Sequence, residues 1–284
     1  MSGPCRVIAV CGHEAAYGAA LRELAETGTT VVRDGRALFR TVTALARRGE
    51  ESCVVPMTLG RDPELVADTA RTLRALPPAA RARTVLAGPF GTSQHLTAWL
   101  RAAAGRAADT AALLITAPAG DPFEDAELYR VASLVRRHGR HGLVEVAFTG
   151  GDPDLAEGVR RCLLLGARDV VLLPAAFARP PLPDVPGTRV EDGGPLLSPA
   201  ALARVLAERV ADARHRGEHG DDGIAAGLTA ADHHGHAHTH PPGEGHSHGH
   251  SHPPATPHGH GAAHPHPHPH RHVHGAGRVI RSTA

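Results

Sequence analysis

Short apolar runs alternate with longer segments of helical period over the first 214 residues of this chain. The runs are rich in Val, Ile and Leu and lack polar alternation, which is typical of strands that are buried on both faces of a parallel sheet. The predicted strands are 6–11, 29–32, 52–57, 83–88, 112–117, 143–148 and 169–174. The predicted helices are 14–27, 36–49, 63–76, 93–107, 123–138, 153–166 and 199–214. This alternation predicts an α/β fold with helices on both faces of the sheets.

The order of these elements is duplicated. "GEESCVVPMTLGRDPELVAD" and "GARDVVLLPAAFARPPLPD" both contain an apolar strand, a Pro and a loop that ends at an acid. "IAVCGHEAAYGAALRELAE" and "LLITAPAGDPFEDAELYRVA" both run from a strand through a turn of small residues into a helix. The sequence therefore predicts two similar doubly wound α/β lobes, residues 1–108 and 109–214, which face each other across a cleft.

The composition changes sharply near residue 215. Residues 215–284 are rich in Gly, Pro, Ser and Ala, and 17 of the 23 histidines lie between residues 233 and 274. No hydrophobic period is present, and the alternating prolines of "HPHPHPHRHVH" oppose both a helix and a central strand. Residues 215–284 are therefore predicted to be a disordered His-rich tail.

The spacing of the tail histidines favours metal binding. In an extended chain, H-x-H places successive imidazoles on the same side, so that pairs can chelate Co²⁺, Ni²⁺ or Zn²⁺. The candidate ligands are His264, His266, His268, His270, His272 and His274. Either the tail raises the local concentration of a metal ion that the folded part uses, or the tract expanded by repeat slippage and has no selected role.

The composition excludes several classes of protein. The net charge of +1 gives no bias towards nucleic acid or a membrane surface, and no apolar run approaches the length of about 20 residues that a spanning helix needs. The chain contains no Lys, which excludes lysine-anchored pyridoxal enzymes and Walker-type ATPases. Four scattered cysteines without a CxxC pair, and no visible signal peptide, favour buried thiols in a reducing cytoplasm.

His13 is the first candidate site residue, because "CGH" places an imidazole directly after the first predicted strand. The loop 58–64 follows the third predicted strand. Since the carboxyl ends of parallel strands share one edge of a sheet, we expect His13 and this loop to lie close together. A neutral imidazole binds borderline divalent metals and titrates near pH 6.5, so His13 is a candidate metal ligand or proton acceptor. A lone His after a strand is also a common structural hydrogen-bonding residue.

Acidic residues near the strand ends have two interpretations each. Glu64 and Asp68 either complement the dipole at a helix N-terminus or take part in a site. Asp121 is predicted to cap a helix whose first residue is Pro122. Glu145 lies within an apolar strand and must be paired or face a cleft, since burial of a lone carboxylate is costly.

At these residues the sequence resembles the sirohydrochlorin chelatases, the class II chelatases of cobalamin and sirohaem biosynthesis. The first strand of that family ends in G-H-G-S-R, which Gly12 and His13 match, whereas "EAAY" replaces the residues after the His. Long members of the family carry two lobes in one chain, and a His-rich segment is frequent among them. The resemblance extends over about residues 5–190.

The second motif of the family is P-L-x-L-x-x-G-x-H-V-x-x-D, after the third strand. "PMTLGRDPELVAD" matches it at Pro56, Leu59 and Asp68. Without gaps, this alignment puts Glu64 where the family has its second metal-binding His. A carboxylate in place of an imidazole makes the site harder and less suited to Co²⁺ or Ni²⁺.

The resemblance implies an enzyme that inserts a divalent metal substrate, Co²⁺, Fe²⁺ or Ni²⁺, into sirohydrochlorin. The reaction needs no ATP, redox change or organic cofactor. The implied catalytic and metal-binding residues are His13 and Glu64, the latter as second ligand or proton acceptor. Arg61 and Arg179 are expected to bind the carboxylates of the tetrapyrrole, and Glu145 is a further candidate for substrate contact.

Two other functions are compatible with the same residues. One is a metal-storage protein or metallochaperone that binds Co, Ni or Zn through its tail on an inactive chelatase scaffold. The other is a plain tetrapyrrole-binding module, which differs in lacking the base. We expect sirohydrochlorin as the partner in the enzyme, no nucleic-acid or membrane partner, and either a monomer or a homodimer.

Overall fold

The computed structural model describes residues 5–232 of the chain. Two four-stranded sheets form the framework, and every strand pair in them is parallel. The first sheet contains β1 (Arg6–Cys11), β2 (Thr30–Val32), β3 (Ser52–Met57) and β4 (Thr84–Leu86). The second contains β5 (Ala112–Pro118), β6 (Val144–Thr149), β7 (Asp169–Pro174) and β8 (Arg189–Asp192).

The strand orders are β2-β1-β3-β4 and β6-β5-β7-β8, so both halves of the chain follow the same topology. The first strand of each half lies between the second and the third. The predicted fold class of two similar doubly wound parallel-sheet lobes is thus confirmed for residues 5–232.

Helices connect the strands and cover the sheets. They are α1 (Arg22–Glu26), α2 (Gly35–Arg47), α3 (Pro63–Arg74), α4 (Pro78–Arg81), α5 (Ser93–Ala104), α6 (Pro122–Arg137), α7 (Leu155–Leu164), α8 (Pro199–Glu218) and α9 (Ile224–Leu228). Most of the longer helices begin at a side chain that accepts a hydrogen bond from the first turn, which satisfies an otherwise unpaired backbone N–H. These caps are Asp34, Asp62, Thr92, Asp121, Asp154 and Ser198.

The segment after β1 departs from the predicted helix 14–27. Residues His13–Leu21 form an irregular, mainly 3₁₀ segment in which Ala16, Tyr17 and Gly18 have positive φ angles. The amides of Ala15 and Tyr17 both donate to the carbonyl of Gly12, which turns the chain tightly. An α-helix forms only over α1.

Three hydrophobic clusters form the core. The largest takes side chains from both sheets, for example Met57 of the first and Ile115 of the second, so the two halves share an interior. A second cluster lies on the other face of the first sheet, beneath α2 and α3, and a third lies on the other face of the second sheet, beneath α7. The described residues all belong to one compact unit, and separate domains at 1–108 and 109–214 stay a prediction.

The predicted start of the tail falls inside α8, which runs through residue 215 to Glu218. After it, α9 packs against α3, and the amide of Leu86 donates to the carbonyl of Asp222 over 2.8 Å. Ile224 and Leu228 join the cluster beneath α3. The prediction of disorder is therefore wrong for residues 215–232, because two apolar side chains one helical turn apart dock a segment that is otherwise polar and Gly-rich. Residues 233–284 lie outside the described part.

Three of the four cysteines are buried and all four are free thiols, as their scattered positions predict. Burial raises the pKa of Cys11, Cys53 and Cys162 to about 12. Within residues 5–232, no helix is both long and apolar enough to cross a membrane.

Candidate metal and proton-transfer site

His13, Asp62 and Glu124 form a compact group, the His13 cluster, at the carboxyl ends of β1, β3 and β5. Nδ1 of His13 lies 3.2 Å from Oδ2 of Asp62, and Nε2 lies 3.6 Å from Oε2 of Glu124. One ligand atom from each residue lies within 4.8 Å of those of the other two. An imidazole and two carboxylates at this spacing are a donor set for a divalent cation.

Sheet topology explains why these residues meet. In the order β2-β1-β3-β4 the chain reverses direction across the sheet between β1 and β3, and ligands of doubly wound folds bind at this switch point. Cys11 lies opposite Met57 in the register of these two strands. The two strands therefore end together, and the loops that carry His13 and Asp62 leave the sheet side by side, as predicted.

Asp62 caps α3 and contacts His13 with the same carboxylate. Oδ1 accepts a hydrogen bond from the amide of Leu65 over 2.8 Å, which fixes the side chain, and Oδ2 faces the imidazole. Gly12 provides the necessary space, because a Cβ atom at that position would lie 2.5 Å from Oδ2. The residue before the candidate ligand His13 is thus restricted to glycine.

Glu124 is held in the same way at the start of α6. Its Oε2 accepts a hydrogen bond from the amide of Asp121 over 3.0 Å, while the Asp121 carboxylate accepts from the amide of Glu124, forming a reciprocal capping box. A Cβ atom on Gly120 would lie 1.8 Å from Oε2. Each half of the chain therefore supplies one carboxylate from a helix N-terminus beside a glycine.

Glu14 is buried next to His13. Its Oε2 accepts hydrogen bonds from the Thr58 hydroxyl and, over 3.0 Å, from the amide of Leu59. Burial raises the pKa of this carboxyl, despite the guanidinium of Arg61 and these hydrogen bonds, which lower it. The side chain of Glu14 is almost wholly excluded from water, and its hydrogen bonds fix the loop after β3 beside the cluster.

Nearby charges and burial shift the pKa of His13 in opposite directions. Burial lowers the pKa of the imidazole, but the hydrogen bond to Asp62 and the nearby carboxylates of Glu124, Asp62 and Glu14 outweigh burial and raise the pKa above 6.5. Burial also raises the pKa of Glu124. Among the described residues, Nε2 of His13 and Oε1 of Glu14 are buried atoms without a hydrogen-bond partner. The His13 cluster thus surrounds an imidazole of raised pKa with carboxylates.

Glu64, the predicted second ligand, does not belong to this cluster. Its side chain is 58% exposed, and its Oε2 accepts a hydrogen bond from Arg71 over 3.0 Å. The gapless alignment pointed to Glu64, the second residue of α3. In the structure, the cap residue Asp62 faces His13 instead. Glu64 instead lines a crevice of about 150 Å³ between the halves, together with Asp121, Glu124 and Glu127.

Arg61 is buried and cannot reach a substrate carboxylate, contrary to the prediction. Its side chain is 0% exposed. It donates to the carbonyls of Glu124 (3.1 Å) and Pro118 (3.4 Å) and to the Asp125 carboxylate (3.1 Å). Arg61 therefore joins the loop after β3 to the loop after β5, and so ties the two halves together beside the His13 cluster.

The other predicted substrate contacts lie elsewhere. Arg179 is exposed and pairs with Asp192 over 2.8 Å. Glu145 is the second residue of β6 and lies opposite Leu114, on the sheet face that packs against α7, away from the carboxyl edge. A role for Arg179 or Glu145 in substrate binding stays a prediction, as does metal binding by the tail histidines from His264 to His274, which lie outside the described residues.

Sequence reasoning missed Asp62 and Glu124, although a repeated signal is present. "GRDPEL" and "AGDPFE" both contain Asp-Pro at a helix start, once in each half. Asp121 was correctly predicted as a cap before Pro122. The missing step was that a carboxylate engaged in capping a helix can also face a neighbouring strand end. Asp62 does so with its second oxygen, and Glu124 does so with the oxygen that closes the capping box.

A pocket of about 530 Å³, the α9 pocket, opens next to the cluster. Its walls are α3, the segment from Leu86 to Ser93, and the chain from Arg216 to Ala230. Asp62 lines this pocket and also contacts His13. A ligand in the α9 pocket would therefore lie next to the His13 cluster.

Comparison with known proteins gives one similar sequence with a named activity. A curated sirohydrochlorin cobaltochelatase of Priestia megaterium is 39% identical over 69 residues, which are 24% of this chain and 22% of that protein. This similarity supports the class II chelatase family. The matched segment spans about a fifth of the curated relative, and the chain matches no protein-family profile.

Two solved structures are similar to this chain at low sequence identity. SirB from Bacillus subtilis with Fe³⁺ is 13% identical, with a TM-score of 0.44, over 77% of this chain and 99% of SirB. CbiX, described as the terminal enzyme of sirohaem biosynthesis in denitrifying bacteria, is 18% identical, with a TM-score of 0.38, over 73% of this chain and 99% of CbiX.

Proposed function

We propose that this protein is an ATP-independent metal chelatase that inserts Co²⁺ or Fe²⁺ into sirohydrochlorin, a step of cobalamin or sirohaem biosynthesis. The observation that carries this proposal is the environment of His13. Its Nδ1 is held by Asp62, while its buried Nε2 has no hydrogen-bond partner among the described residues and faces Glu124 at 3.6 Å. Proteins present a metal-binding imidazole in this way, with a carboxylate that orients the ring from its far side.

The metal ion is a substrate in this proposal, bound between Nε2 of His13 and the Glu124 carboxylate. Asp62 accepts the Nδ1 proton and fixes both the tautomer and the direction of the ring. Two protein ligands leave most coordination positions of the ion open for pyrrole nitrogens. An ion held this loosely can be transferred, whereas a closed tetrahedral site would retain it.

Metal insertion releases two protons from the macrocycle, since two pyrrole N–H groups are replaced by bonds to one M²⁺ ion. A carboxylate is a better base when its pKa is raised towards neutral pH. Burial raises the pKa of both Glu124 and Glu14. We propose Glu124, which faces the metal position, as the acceptor of the first proton, while the second proton passes to solvent water. Glu14 is a neighbouring group that fixes Thr58 and Leu59.

The test is metal insertion by purified full-length protein, followed by the absorbance change of sirohydrochlorin on addition of Co²⁺. We expect His13→Ala to lower the rate by at least about a hundredfold and Glu124→Gln by at least about tenfold, the range for loss of a ligand or a proton acceptor. Glu64→Gln is the matched control, because Glu64 is an exposed acid that pairs with Arg71. A wild-type rate for His13→Ala, or a loss with Glu64→Gln alone, would contradict the assignment.

The His-rich tail favours a second candidate function, the storage or delivery of metal by binding to residues 233–274, which hold 17 histidines. Storage predicts that the wild-type chain binds Co²⁺ but does not metallate sirohydrochlorin. Delivery predicts faster insertion at limiting metal through a higher local concentration of the ion. A cytoplasmic location and a monomeric or homodimeric state remain predictions from the sequence.

A further inference from the structure

Two histidines outside the His13 cluster lie together at the end of α8. His215 is in the last turn of this helix, and His219 is the residue directly after it. Residues four positions apart lie on the same face of a helix. The ring centroids of His215 and His219 are 4.8 Å apart, and the ring planes meet at 84°. These two residues are called the α8 histidine pair below.

Both imidazoles of the α8 histidine pair are accessible to a ligand. Both residues are exposed to solvent. Within residues 5–232, neither ring makes a hydrogen bond or an ion pair. His141 is different, because it is buried and its ring nitrogens lie 3.0 Å from the carbonyl oxygens of Ala111 and Ala104. The structure thus uses His141 to hold the fold together, whereas it leaves the nitrogens of the pair without a partner in the described part of the chain.

The separation of the two rings is that of imidazoles bound to one metal ion. A zinc-bound His nitrogen lies about 2.0–2.1 Å from the ion, which puts the ring centroid about 3.2 Å from it. Two rings that subtend an angle of about 90° to 110° at the ion then have centroids about 4.5 to 5.2 Å apart. The observed 4.8 Å lies inside this range. Reorientation of the rings is therefore enough to direct one nitrogen of each at the same ion.

The electrostatic surroundings favour a cation at this position. The last carbonyl groups of a helix carry the negative end of its dipole, which stabilises positive charge near the last turn. The two arginines beside His215 have other neighbours. Arg214 lines a crevice together with Cys5, and the guanidinium of Arg216 lies 3.6 Å from the Asp221 carboxylate.

We propose that the α8 histidine pair is a second metal site, which binds one divalent ion of the series Co²⁺, Ni²⁺, Cu²⁺ and Zn²⁺. Within the described residues no Asp, Glu or Cys joins the pair as a third ligand, so the remaining coordination positions are left for water. Two imidazoles prefer these ions to Mg²⁺ or Ca²⁺, and Cu²⁺ binds most tightly. The His13 cluster, with one imidazole and two carboxylates, is the harder site of the two. This inference concerns a separate surface and does not depend on the proposed chelatase function.

An ion that bridges the pair also fixes the last turn of α8. From this turn, Arg216 donates a hydrogen bond to the carbonyl of Leu86 over 3.4 Å. A few residues later, the carbonyl of Asp222 accepts from the amide of Leu86 over 2.8 Å. Because the two imidazoles are held together only when this turn is folded, the ion raises the free energy of unfolding.

The test uses a full-length parent chain that carries His13→Ala and in which the 17 histidines between residues 233 and 274 are replaced by Gln. The tail and the His13 cluster then contribute no imidazole. His215→Ala or His219→Ala is added to this parent, and each leaves a single imidazole at the end of α8. His138→Ala is the matched control, because His138 is an exposed histidine directly after α6. Folding is checked by circular dichroism, and His215→Gln and His219→Gln carry the test if an alanine variant fails to fold.

Binding of Ni²⁺ is measured by isothermal titration calorimetry. We expect the parent to bind one ion and Kd to rise at least about tenfold in both His215→Ala and His219→Ala, because a single imidazole loses the advantage of chelation. Kd should stay within about twofold in His138→Ala. Saturating Ni²⁺ should raise the urea midpoint of the parent, and both variants of the pair should lose this rise. No binding by the parent, the same Kd in all four chains, a loss in only one variant of the pair, or an equal loss in His138→Ala would overturn the site.

Discussion

The two nitrogens of the His13 ring differ in whether a proton and a metal ion compete for them. Nδ1 lies 3.2 Å from Asp62, a carboxylate that is itself fixed as the cap of α3, so the proton on this nitrogen stays in place. Nε2 faces Glu124 at 3.6 Å and is the nitrogen at which we propose that a proton and a metal ion exchange. Burial lowers the pKa of the ring, but Asp62 and the other carboxylates raise it above 6.5 overall. A metal ion would therefore compete with a proton for Nε2, and more strongly than at an ordinary imidazole.

This competition predicts the pH dependence of metal insertion. The rate should rise with pH as His13 loses its Nε2 proton. The midpoint of this rise, the acid limb of the profile, should lie above the ordinary imidazole pKa. Asp62→Asn removes the negative charge that strengthens the hydrogen bond to Nδ1 and raises this pKa, so the limb should move to lower pH. The plateau should fall because a neutral amide holds the ring less firmly. The measurement is kcat/KM for Co²⁺ insertion over about pH 5 to 9, with Glu64→Gln as control. An acid limb at the same pH in wild type and Asp62→Asn would show that His13 is not the titrating group.

At the scale of the elements, α3 and α6 perform the same task in the two halves. Each begins with Asp-Pro after a strand end, and each presents an N-terminal carboxylate to His13. A Cβ atom on Gly12 or Gly120 would overlap the carboxylate of Asp62 or Glu124, respectively. The geometry of the His13 cluster thus depends on these two glycines as much as on its three polar side chains.

Gly120→Ala tests this dependence without removing a ligand. The new methyl group should displace the Glu124 carboxylate and open the capping box, with about 1 kcal/mol lost from the free energy of unfolding. We expect the rate of metal insertion to fall to the level of Glu124→Gln. Gly142→Ala is the control, since a Cβ atom there contacts nothing within 4 Å. Unchanged insertion by Gly120→Ala would mean that Glu124 need not occupy the observed position.

Most of the sheet framework could be predicted because buried parallel strands are long apolar runs. Elements without that signal were missed. The edge strand β8 has the polar sequence "RVED", and α4 and α9 are too short for a period to be read. The predicted helix 14–27 was broken because the backbone turns sharply through Tyr17 and Gly18, where no sequence pattern marks the bend.

The site could be predicted only in part, for a related reason. His13 and the loop after β3 were correctly placed together by topology. Acids at a helix N-terminus look alike in a sequence. Which of Asp62 and Glu64 faces His13 is decided by the direction in which α3 begins, and the sequence does not show that direction. Arg61 likewise follows a strand end as a substrate-binding Arg would, but its contacts with Pro118 and Asp125 depend on how the two halves pack.

At the scale of the whole molecule, the two halves meet through a shared apolar cluster and through Arg61. The guanidinium is inaccessible to solvent, and its partners all lie between Pro118 and Asp125 in the second half. The partly buried ion pair with Asp125 holds the first turn of α6, which also carries Glu124. Arg61 therefore couples the assembly of the fold to the geometry of the site.

Replacement of this arginine should destabilise the protein. Arg61→Met keeps much of the side-chain volume but removes the donor to the carbonyls of Glu124 and Pro118, and leaves Asp125 with only the amide of Gly120. We expect a loss of about 3 to 5 kcal/mol in the free energy of unfolding, as for one partner removed from a buried pair. Arg71→Met is the control, with a loss of at most about 1 kcal/mol, because Arg71 pairs with Glu64 and Asp68 on the exposed surface. Equal urea midpoints for the two variants would contradict a joining role for Arg61.

The described chain ends beside the site. Ala230 lines the α9 pocket, and Ala231 lines the crevice in which Glu64 and Glu124 lie. The first tail histidine, His233, follows two residues later in the sequence. A metal ion bound anywhere along the tail is therefore tethered to the neighbourhood of the His13 cluster, which raises its effective concentration there.

Replacement of the 17 histidines between residues 233 and 274 by Gln tests this tether while it keeps the full chain length. If the tail delivers metal, the rate of insertion at limiting, buffered Co²⁺ should fall by about tenfold or more, since local enrichment is lost. The rate at saturating Co²⁺ should stay at the wild-type value, because His13 and both carboxylates are unchanged. The measurement is the dependence of the initial rate on free Co²⁺, compared between the two chains. Superimposable curves would mean that the tail contributes nothing to insertion. If the wild-type chain never metallates sirohydrochlorin and the Gln variant loses all Co²⁺ binding, the results would favour storage instead.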